Sequence, residues 1–334
     1  MTTVLLISVL LSFVATYLIT PYFIKFLKAA NIVGIDVHKR NKPKIAEMGG
    51  PAVMSGFLLG IFFYVAVKIF LYKGLPNIID LFAATTTALI ITIIGMFDDI
   101  GSLIKRVNFK RVGLKRIYKV LMPLPAAIPL MSILAGYSII NVPLIGEINL
   151  GILYPLLVVP IIIAGMSNAF NMIGGMNGLE AGLGIVYLSG LGIFNLILGK
   201  ETVAIIAFSA SFALLGFIRY NWYPAKIMSG DSLVYFTGAV AASVVVLGNI
   251  EKFALIAFAP WFIELFLKLR VRLNTENFGV LQNDGTLKSP YKKIYSLTSF
   301  FMHLGKFKEQ QIVIMIILLE IFFMGVAFLF SFGI

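Results

Sequence analysis

Apolar residues fall along the chain in long blocks rather than in alternation. Ten blocks stand out, at about 3–24, 52–72, 79–97, 118–136, 152–170, 180–198, 202–220, 233–249, 252–270 and 311–332. A spanning helix needs about 20 mostly apolar residues, and only a helix or a closed barrel satisfies its own backbone in lipid. The pattern therefore predicts an all-α polytopic membrane protein with about ten transmembrane helices, forming a single integral membrane domain over 1–334. The longest connection, about 271–310, leaves no room for a soluble domain of ordinary size, and no internal repeat is visible. Between the fourth and fifth blocks, Gly136–Gly151 (GYSIINVPLIGEINLG) sets apolar residues around a glycine turn, the pattern of a short outer hairpin. Prolines 21, 123, 125, 129, 155, 160 and 260 lie in or near the blocks, where a membrane tolerates them as kinks. The first block has no basic residue before Lys25 and no small-residue cleavage site after it, so it is read as a span rather than a cleaved signal.

Composition agrees: 60% of the 334 residues are apolar and 13% charged, against about 25% charged in soluble proteins. A soluble enzyme is excluded. The net charge of +12, from 27 Lys+Arg and 15 Asp+Glu, would suggest nucleic acid in a soluble protein. Here its placement matters more. With the N-terminus outside, the outer connections hold only Lys68, Lys73, Lys200 and Lys252, and every other basic residue falls on the inner side. That positive-inside bias predicts both termini outside, an inner face towards the cytosol, and the bilayer rather than nucleic acid as partner. Cysteine is absent, which excludes disulfides and thiolate sites. Two histidines, His38 and His303, are too few for a His-rich metal centre.

The acidic residues depart from this background. Asp36, Glu47, Asp98, Asp99, Glu180 and Asp231 all fall at inner connections or inner helix ends, whereas Glu320 is the clear mid-span exception and Glu264 lies towards the inner part of its block. Asp98 and Asp99 close the third block at a helix C-terminus, where negative charge is unfavourable unless cations compensate. Adjacent helical residues point about 100° apart, so the pair need not bind one ion together; the plain alternative is a solvated helix end. Asn168, Asn171 and Asn177 lie in NAFNMIGGMNGLEAG with Gly174, Gly175 and Gly178. Asn168 and Asn171 share one helix face, the glycines allow close backbone approach, and amide oxygens suit Mg²⁺. The alternative is an Asn-Gly turn. Asp231, alone, is an ordinary helix N-cap. Lys119, alone, is a snorkelling inner lysine, and Glu47 a first-turn acid. Together these residues describe an inner-face cleft of carboxylates, amides, mobile backbone and lysine, suited to a divalent cation and phosphates beside a lipid.

At these residues the chain resembles the polyprenyl-phosphate N-acetylhexosamine-1-phosphate transferases, and most closely the eukaryote-type UDP-GlcNAc:dolichyl-phosphate GlcNAc-1-phosphate transferases. The motifs are Gly34-Ile-Asp36-Val-His-Lys39 with Ala46-Glu47, then GMFDDI, NAFNMIGGMNGLEAG and GDSLVYFTG, in that order. The resemblance implies ten spans, an outer hairpin and a cytosolic active site. It implies Asn171 and Asp231 as ligands of Mg²⁺, with Mn²⁺ as an alternative. Asn177 and the backbone near Gly175 would meet the uracil, Lys119 the phosphate, and Glu47 the sugar. Asp98 and Asp99 match the acidic pair, as base or as acceptor-positioning groups. Asp36, Lys39 and Asn168 are further candidates. One departure stands in Asn274–Thr286, where relatives carry an Arg-His-Arg-type element and this chain has no basic triplet.

The expected reaction is transfer of GlcNAc-1-phosphate from UDP-GlcNAc to dolichyl or another polyprenyl phosphate, with release of UMP, a membrane step of glycan assembly such as N-glycosylation. The rivals are a secondary transporter, which would favour mid-span charges and inverted repeats, and a polyprenyl-phosphate-binding protein without catalysis. Isoprenoid length, the exact N-acetylhexosamine, and monomer against homodimer stay open at this level.

Overall fold

A computed structural model describes residues 2–74, 77–108, 116–136, 139–142 and 146–333. The helices are α1 (Thr2–Ala29), α2 (Gly50–Phe70), α3 (Ile78–Asn108), α4 (Arg116–Leu121), α5 (Ile128–Ser132), α6 (Val159–Ile173), α7 (Leu179–Ile197), α8 (Glu201–Asn221), α9 (Gly230–Gly248), α10 (Glu251–Ala257), α11 (Ala259–Leu269), α12 (Leu297–Leu304) and α13 (Glu309–Phe332). Among the described residues three two-stranded antiparallel ladders accompany them: β1 (Val33–Ile35) with β2 (Lys44–Ala46), β3 (Ile139–Val142) with β4 (Gly146–Asn149), and β5 (Val280–Leu281) with β6 (Leu287–Lys288).

Among the described residues eight helices are long and apolar enough to cross a membrane. The two remaining predicted spans are broken. Block 118–136 becomes α4, a 3₁₀ turn at Leu124–Ala127 and α5, because Pro123, Pro125 and Pro129 remove three helix donors in seven residues. Block 252–270 breaks at Phe258, two residues before Pro260. Each broken stretch still returns the chain across the bundle: Lys119 meets the end of α3 that carries Asp98, whereas a Cβ at Gly136 would strike Tyr154, at the opposite end of the α6 segment from Asn171. The predicted outer hairpin is present as β3–β4, with Ile140 opposite Ile148 and Asn141 opposite Glu147; its turn, like Lys110, Arg111 and Lys115 of the basic inner loop, lies outside the described residues.

Helix α9 is the axis. Every residue from Ser232 to Val246 is buried, and its Gly, Ala, Ser and Val side chains let neighbouring backbones come close, as in other membrane bundles. α3 packs on one side, α6 on another, and α2, α7 and α8 complete the ring. α1 lies outside α2 and α8 and presents Leu6 and Leu18 outward, as α13 does Phe322 and Phe330, the expected lipid-facing surface.

Two crossings set the register of the chemistry. A Cβ on Gly95 of α3 would stand 2.4 Å from Ser232 Cα, and one on Gly238 of α9 would stand 2.5 Å from Ser167 Cα of α6. Asp98 and Asp99 follow Gly95 by three and four residues, and Asn171 follows Ser167 by four, so each lies on the face of its helix that touches α9. The close approaches therefore bring the polar residues of three helices to the N-terminus of α9.

Gly95→Ala places a methyl group against backbone that cannot yield, and a cost of about 1–3 kcal/mol is expected. Gly101→Ala, on the same helix with open space around it, is the control and should be neutral or slightly stabilising. Thermal unfolding of the two variants in detergent checks the difference; equal midpoints would remove the crossing from its assigned role.

Candidate active site

The first cluster sits where α3, α4, α6 and α9 meet. Lys119 Nζ lies 2.6 Å from Asp98 Oδ2 and 3.2 Å from Asp231 Oδ2. Asn171 Nδ2 donates to Asp231 Oδ1 at 3.0 Å and to the Tyr235 hydroxyl at 3.4 Å. The Asp98 and Asp231 carboxyl groups also interact directly. Asp231, Asn171 and Lys119 line a cavity; Asp98 lies buried behind Lys119.

Asp99 points elsewhere than its neighbour. Its two oxygens accept from the backbone N–H groups of Asp231 at 2.6 Å and Ser232 at 3.1 Å. It caps α9 from outside, on the helix end whose partial positive charge favours a carboxylate. The ordinary N-cap role considered for Asp231 is thus filled by Asp99, and the Asp231 carboxylate is left for Lys119 and Asn171. Setting Asp99 against that helix end leaves two carboxylates, Asp98 and Asp231, against one ammonium. The ligating atoms that its carboxyl groups and amide offer are hard oxygens, the set that suits Mg²⁺. Among the described residues no three or more His, Cys, Asp or Glu form a metal cage; Mg²⁺ usually takes one or two carboxylates and completes its shell with water and substrate phosphates.

A second cluster gathers around the β1–β2 hairpin and the start of α13. The β1–β2 hairpin projects Asp36, His38 and Lys39 from its loop and Glu47 from its end. It is fastened to the segment before α9 by Met228 N–H to Ala46 O at 2.8 Å and Gly49 N–H to Ser229 O at 2.8 Å. Glu309, at the start of α13, is the hub. It accepts from Lys39 Nζ at 2.8 Å and from the Asn177 backbone N–H at 2.8 Å, and pairs with His38 Nδ1 at 3.3 Å. Asp36 accepts from Asn177 Nδ2 at 2.9 Å, and Lys39 lies 3.5 Å over the Tyr223 ring. Asn177 is therefore held by both its backbone and its amide. Gly175 donates its N–H to Glu180 Oε1 at 2.9 Å and takes φ +127°, a conformation open to glycine and strained for other residues.

Helix α6 ends on further side chains. Lys268 Nζ donates to Met172 O at 2.6 Å and pairs with Glu264 at 3.1 Å, and Glu264 accepts the Leu297 N–H at 2.7 Å. This explains the acid found towards the inner part of the ninth block. Asn168 is not in the Lys119–Asp98–Asp231 cluster: its Nδ2 donates to Val120 O and Ala164 O, tying α6 to α4. Glu320 is fully buried and far along α13 from the site.

One cavity of about 1340 Å³ joins the parts. Its polar end holds Asp36, Glu47, Lys119, Asn168, Asn171, Gly175, Asn177 and Asp231, that is, most of the predicted site. From there it continues as an apolar groove between α6 and α10–α11, past Ile161, Ile162, Phe262 and Leu255, to Tyr154 and Glu251, which hydrogen-bond each other near the far end of the bundle. Glu309, Lys268, Asn277 and Phe278 carry no sequence signal of a site role of their own. A Glu opening an apolar helix looks like any first-turn acid, and Lys268 like any inner lysine; no periodicity marks either.

Removing the external cap tests the division of labour in the acidic pair. Asp99→Ala leaves two first-turn N–H groups without their acceptor and should lower stability by about 1 kcal/mol, with Asp99→Asn, which keeps one acceptor, lowering it less. Thermal unfolding in detergent would read this, and an unchanged midpoint for the alanine variant would contradict the capping role.

Comparison with known proteins places this geometry. Residues 81–249 match glycosyl transferase family 4. Over 97% of the chain and 95% of its own length, a Saccharolobus solfataricus protein provisionally named UDP-N-acetylglucosamine–dolichyl-phosphate N-acetylglucosaminephosphotransferase is 33% identical. The Dictyostelium discoideum protein of that name is 26% identical over 73% of this chain and 66% of its own. A phospho-N-acetylmuramoyl-pentapeptide-transferase of Clostridium botulinum is 29% identical over 89% of this chain and 86% of its own. With Lys119, the Asn-Gly loop and the α9 carboxylate gathered at one cavity and the acidic pair buried behind them, the chain belongs to glycosyl transferase family 4.

Proposed function

We propose that this protein transfers GlcNAc-1-phosphate from UDP-GlcNAc to dolichyl or another polyprenyl phosphate, releasing UMP, with the active site on the cytosolic face. The observation that carries the reading is the two-part cavity: a rim of carboxylates, amides and lysine continuing without interruption into an apolar groove between α6 and α10–α11. A water-soluble anionic donor fits the first part and an isoprenoid tail the second. The names of the similar proteins support the substrates, and the positive-inside bias, whose basic side is the site's end of the bundle, supports the orientation.

An oxygen of the acceptor phosphate attacks the β-phosphorus of UDP-GlcNAc. The bond from that phosphorus to the bridging oxygen breaks, and UMP leaves with the oxygen, so that a lipid-diphosphate sugar remains. A phosphate monoester has a second pKa near 6, so the acceptor is mostly dianionic at neutral pH and no obligatory base is needed. Lys119 then has the main task of the protein side. Its ammonium reduces repulsion between two anionic substrates and is aimed by Asp98. Asp231 and Asn171, with Asp98 beside them, are the groups that would hold Mg²⁺, Mn²⁺ being the alternative. Bound there, the cation would supply charge neutralisation to the diphosphate and the leaving UMP. Asp99 positions Asp231 through the α9 backbone. Asn177 and the Gly175 backbone face the base, and Glu47, at the foot of the hairpin, the sugar.

Purified protein should release UMP from UDP-GlcNAc only when both a polyprenyl phosphate and a divalent cation are present. Absence of turnover across several sugar nucleotides and long and short lipid phosphates would overturn the reading. Asp231→Ala should reduce release to background with the thermal midpoint retained, and Lys119→Ala should lower kcat by at least tenfold, since charge-stabilising groups at transferring phosphates act mainly in the transition state. Ile161→Gln, in the groove, should raise the KM for a long-chain acceptor several-fold without moving the KM for UDP-GlcNAc; equal effects on both would disconnect the groove from the acceptor.

A further inference from the structure

The 271–310 connection lacks the basic element expected there, yet it reaches the cavity with other chemistry. Asn277 Nδ2 donates to Met172 O at 2.9 Å and Gly174 O at 2.7 Å, and Thr298 Oγ1 donates to Asn277 O at 3.0 Å. Two residues on, the Gly279 N–H donates to His38 Nε2 at 3.1 Å. His38 in turn leans on Glu309 through Nδ1. Both flanks of Phe278 are thus fastened to the base of the site.

The ring between them is not buried. Phe278 is 40% exposed and lines the polar part of the cavity. One side of it is braced by the His38 ring, with centroids 5.8 Å apart at 59°. Another lies against Gly175, where a Cβ would come 3.3 Å from a ring carbon. A single exposed apolar side chain on an open surface needs no explanation. A phenyl ring anchored on both sides, braced by a second ring and held open towards a cleft of amides and carboxylates is a prepared flat face. Aromatic faces bind the π-faces of nucleobases by stacking, whatever the base, whereas edge amides read the base. The edge groups stand beside it: Gly175 is in contact and Asn177 follows two residues later, held by Asp36 and Glu309.

We propose that Phe278 is the stacking platform for the pyrimidine base of the nucleotide donor, and so a binding determinant supplied by the connection that departs from its relatives. The inference rests on the donor assignment made above and adds to it the residue that holds the base's face. The ring packs against Gly175 and His38, on the Asn177 side of the cavity, which places it with the base rather than with the phosphates.

The test uses full-length protein in detergent with Mg²⁺, titrated with UMP and with UDP-GlcNAc. Phe278→Leu keeps apolar volume and removes the π-face. It should weaken both ligands by the same factor, roughly tenfold, with Phe278→Tyr restoring affinity to within about twofold and the KM for polyprenyl phosphate unchanged. As a second readout, Phe278→Trp should show fluorescence quenching on UMP addition beyond that of the wild type, whose tryptophans are Trp222 and Trp261. Unchanged UMP affinity in Phe278→Leu, or no added quenching in Phe278→Trp, overturns the proposal. A loss confined to UDP-GlcNAc overturns it as well, in favour of contact with the sugar. Failure of the wild type to bind UMP removes the donor assignment itself, which the variants alone do not touch.

Discussion

The Asp99 carboxylate, held between two N–H groups at the start of α9, is the joint on which the site depends. Without an outside acceptor, those first-turn groups would lack a partner, because the N-cap residue Ser229 makes no side-chain cap bond to them. Asp99 takes that place from another helix. It does so only because α3 and α9 cross at backbone contact over Gly95. The adjacent residue, turned about 100° away, then faces Lys119 rather than the helix end. Two neighbouring acids in sequence become a structural cap and a partner of the site lysine, with the crossing helix deciding which is which.

The rest of the architecture reconciles two solvents. Polar side chains inside a bilayer need partners within the protein, and here most of the buried charged ones collect at one end, where helix termini offer N–H groups and carbonyls. Lys268 and Asn277 close the carbonyl end of α6, Asp99 the amide end of α9, and Glu309 the loop at Asn177. Each charged group fastens one of the loops that carry ligand-facing residues. The apolar groove leaves from this rim along α6, so a lipid's head and tail meet surfaces of matching polarity without the protein requiring a soluble domain.

Much of this was legible in the chain. Long apolar blocks mark helices by length alone, the basic residues mark the face, and the gathering of Asp98, Asn171, Asp231 and Lys119 follows from each standing at an inner helix end. The breaks at Pro123–Pro129 and Pro260 were visible as prolines but not as breaks, because a proline in a membrane helix is as often a kink as an interruption. The β1–β2 hairpin was not visible. Its strands are three residues each, too short for alternation to register, and the bonds that fix it run to Ser229 and Met228, far away in sequence. Asp98 and Asp99 could not be distinguished, since only the neighbouring helix separates their roles. Glu309 and Phe278 gave no signal because their meaning comes from what they touch across the bundle.

The charge on the cavity wall gives the missing basic triplet a consequence. Among the described residues the cationic or imidazole groups lining the cavity are His38, Lys119 and Lys268, against the carboxylates of Asp36, Glu47, Glu180, Asp231, Glu276 and Glu309 around the polar end. His38 has one ring nitrogen on Glu309 and the other on the Gly279 N–H, and Lys268 serves Met172 O and Glu264. Lys119 is thus the cation placed to meet a phosphate. Asp36 and Glu309 share Lys39; beside the remaining carboxylates a diphosphate is better held when it arrives with positive charge of its own, and a doubly anionic acceptor adds to the need. Among the described residues that line the cavity, that burden falls on Lys119, so that in the proposed function this lysine works with a divalent ion brought with the donor, and the neutral parts of the donor are left to amides and an aromatic face.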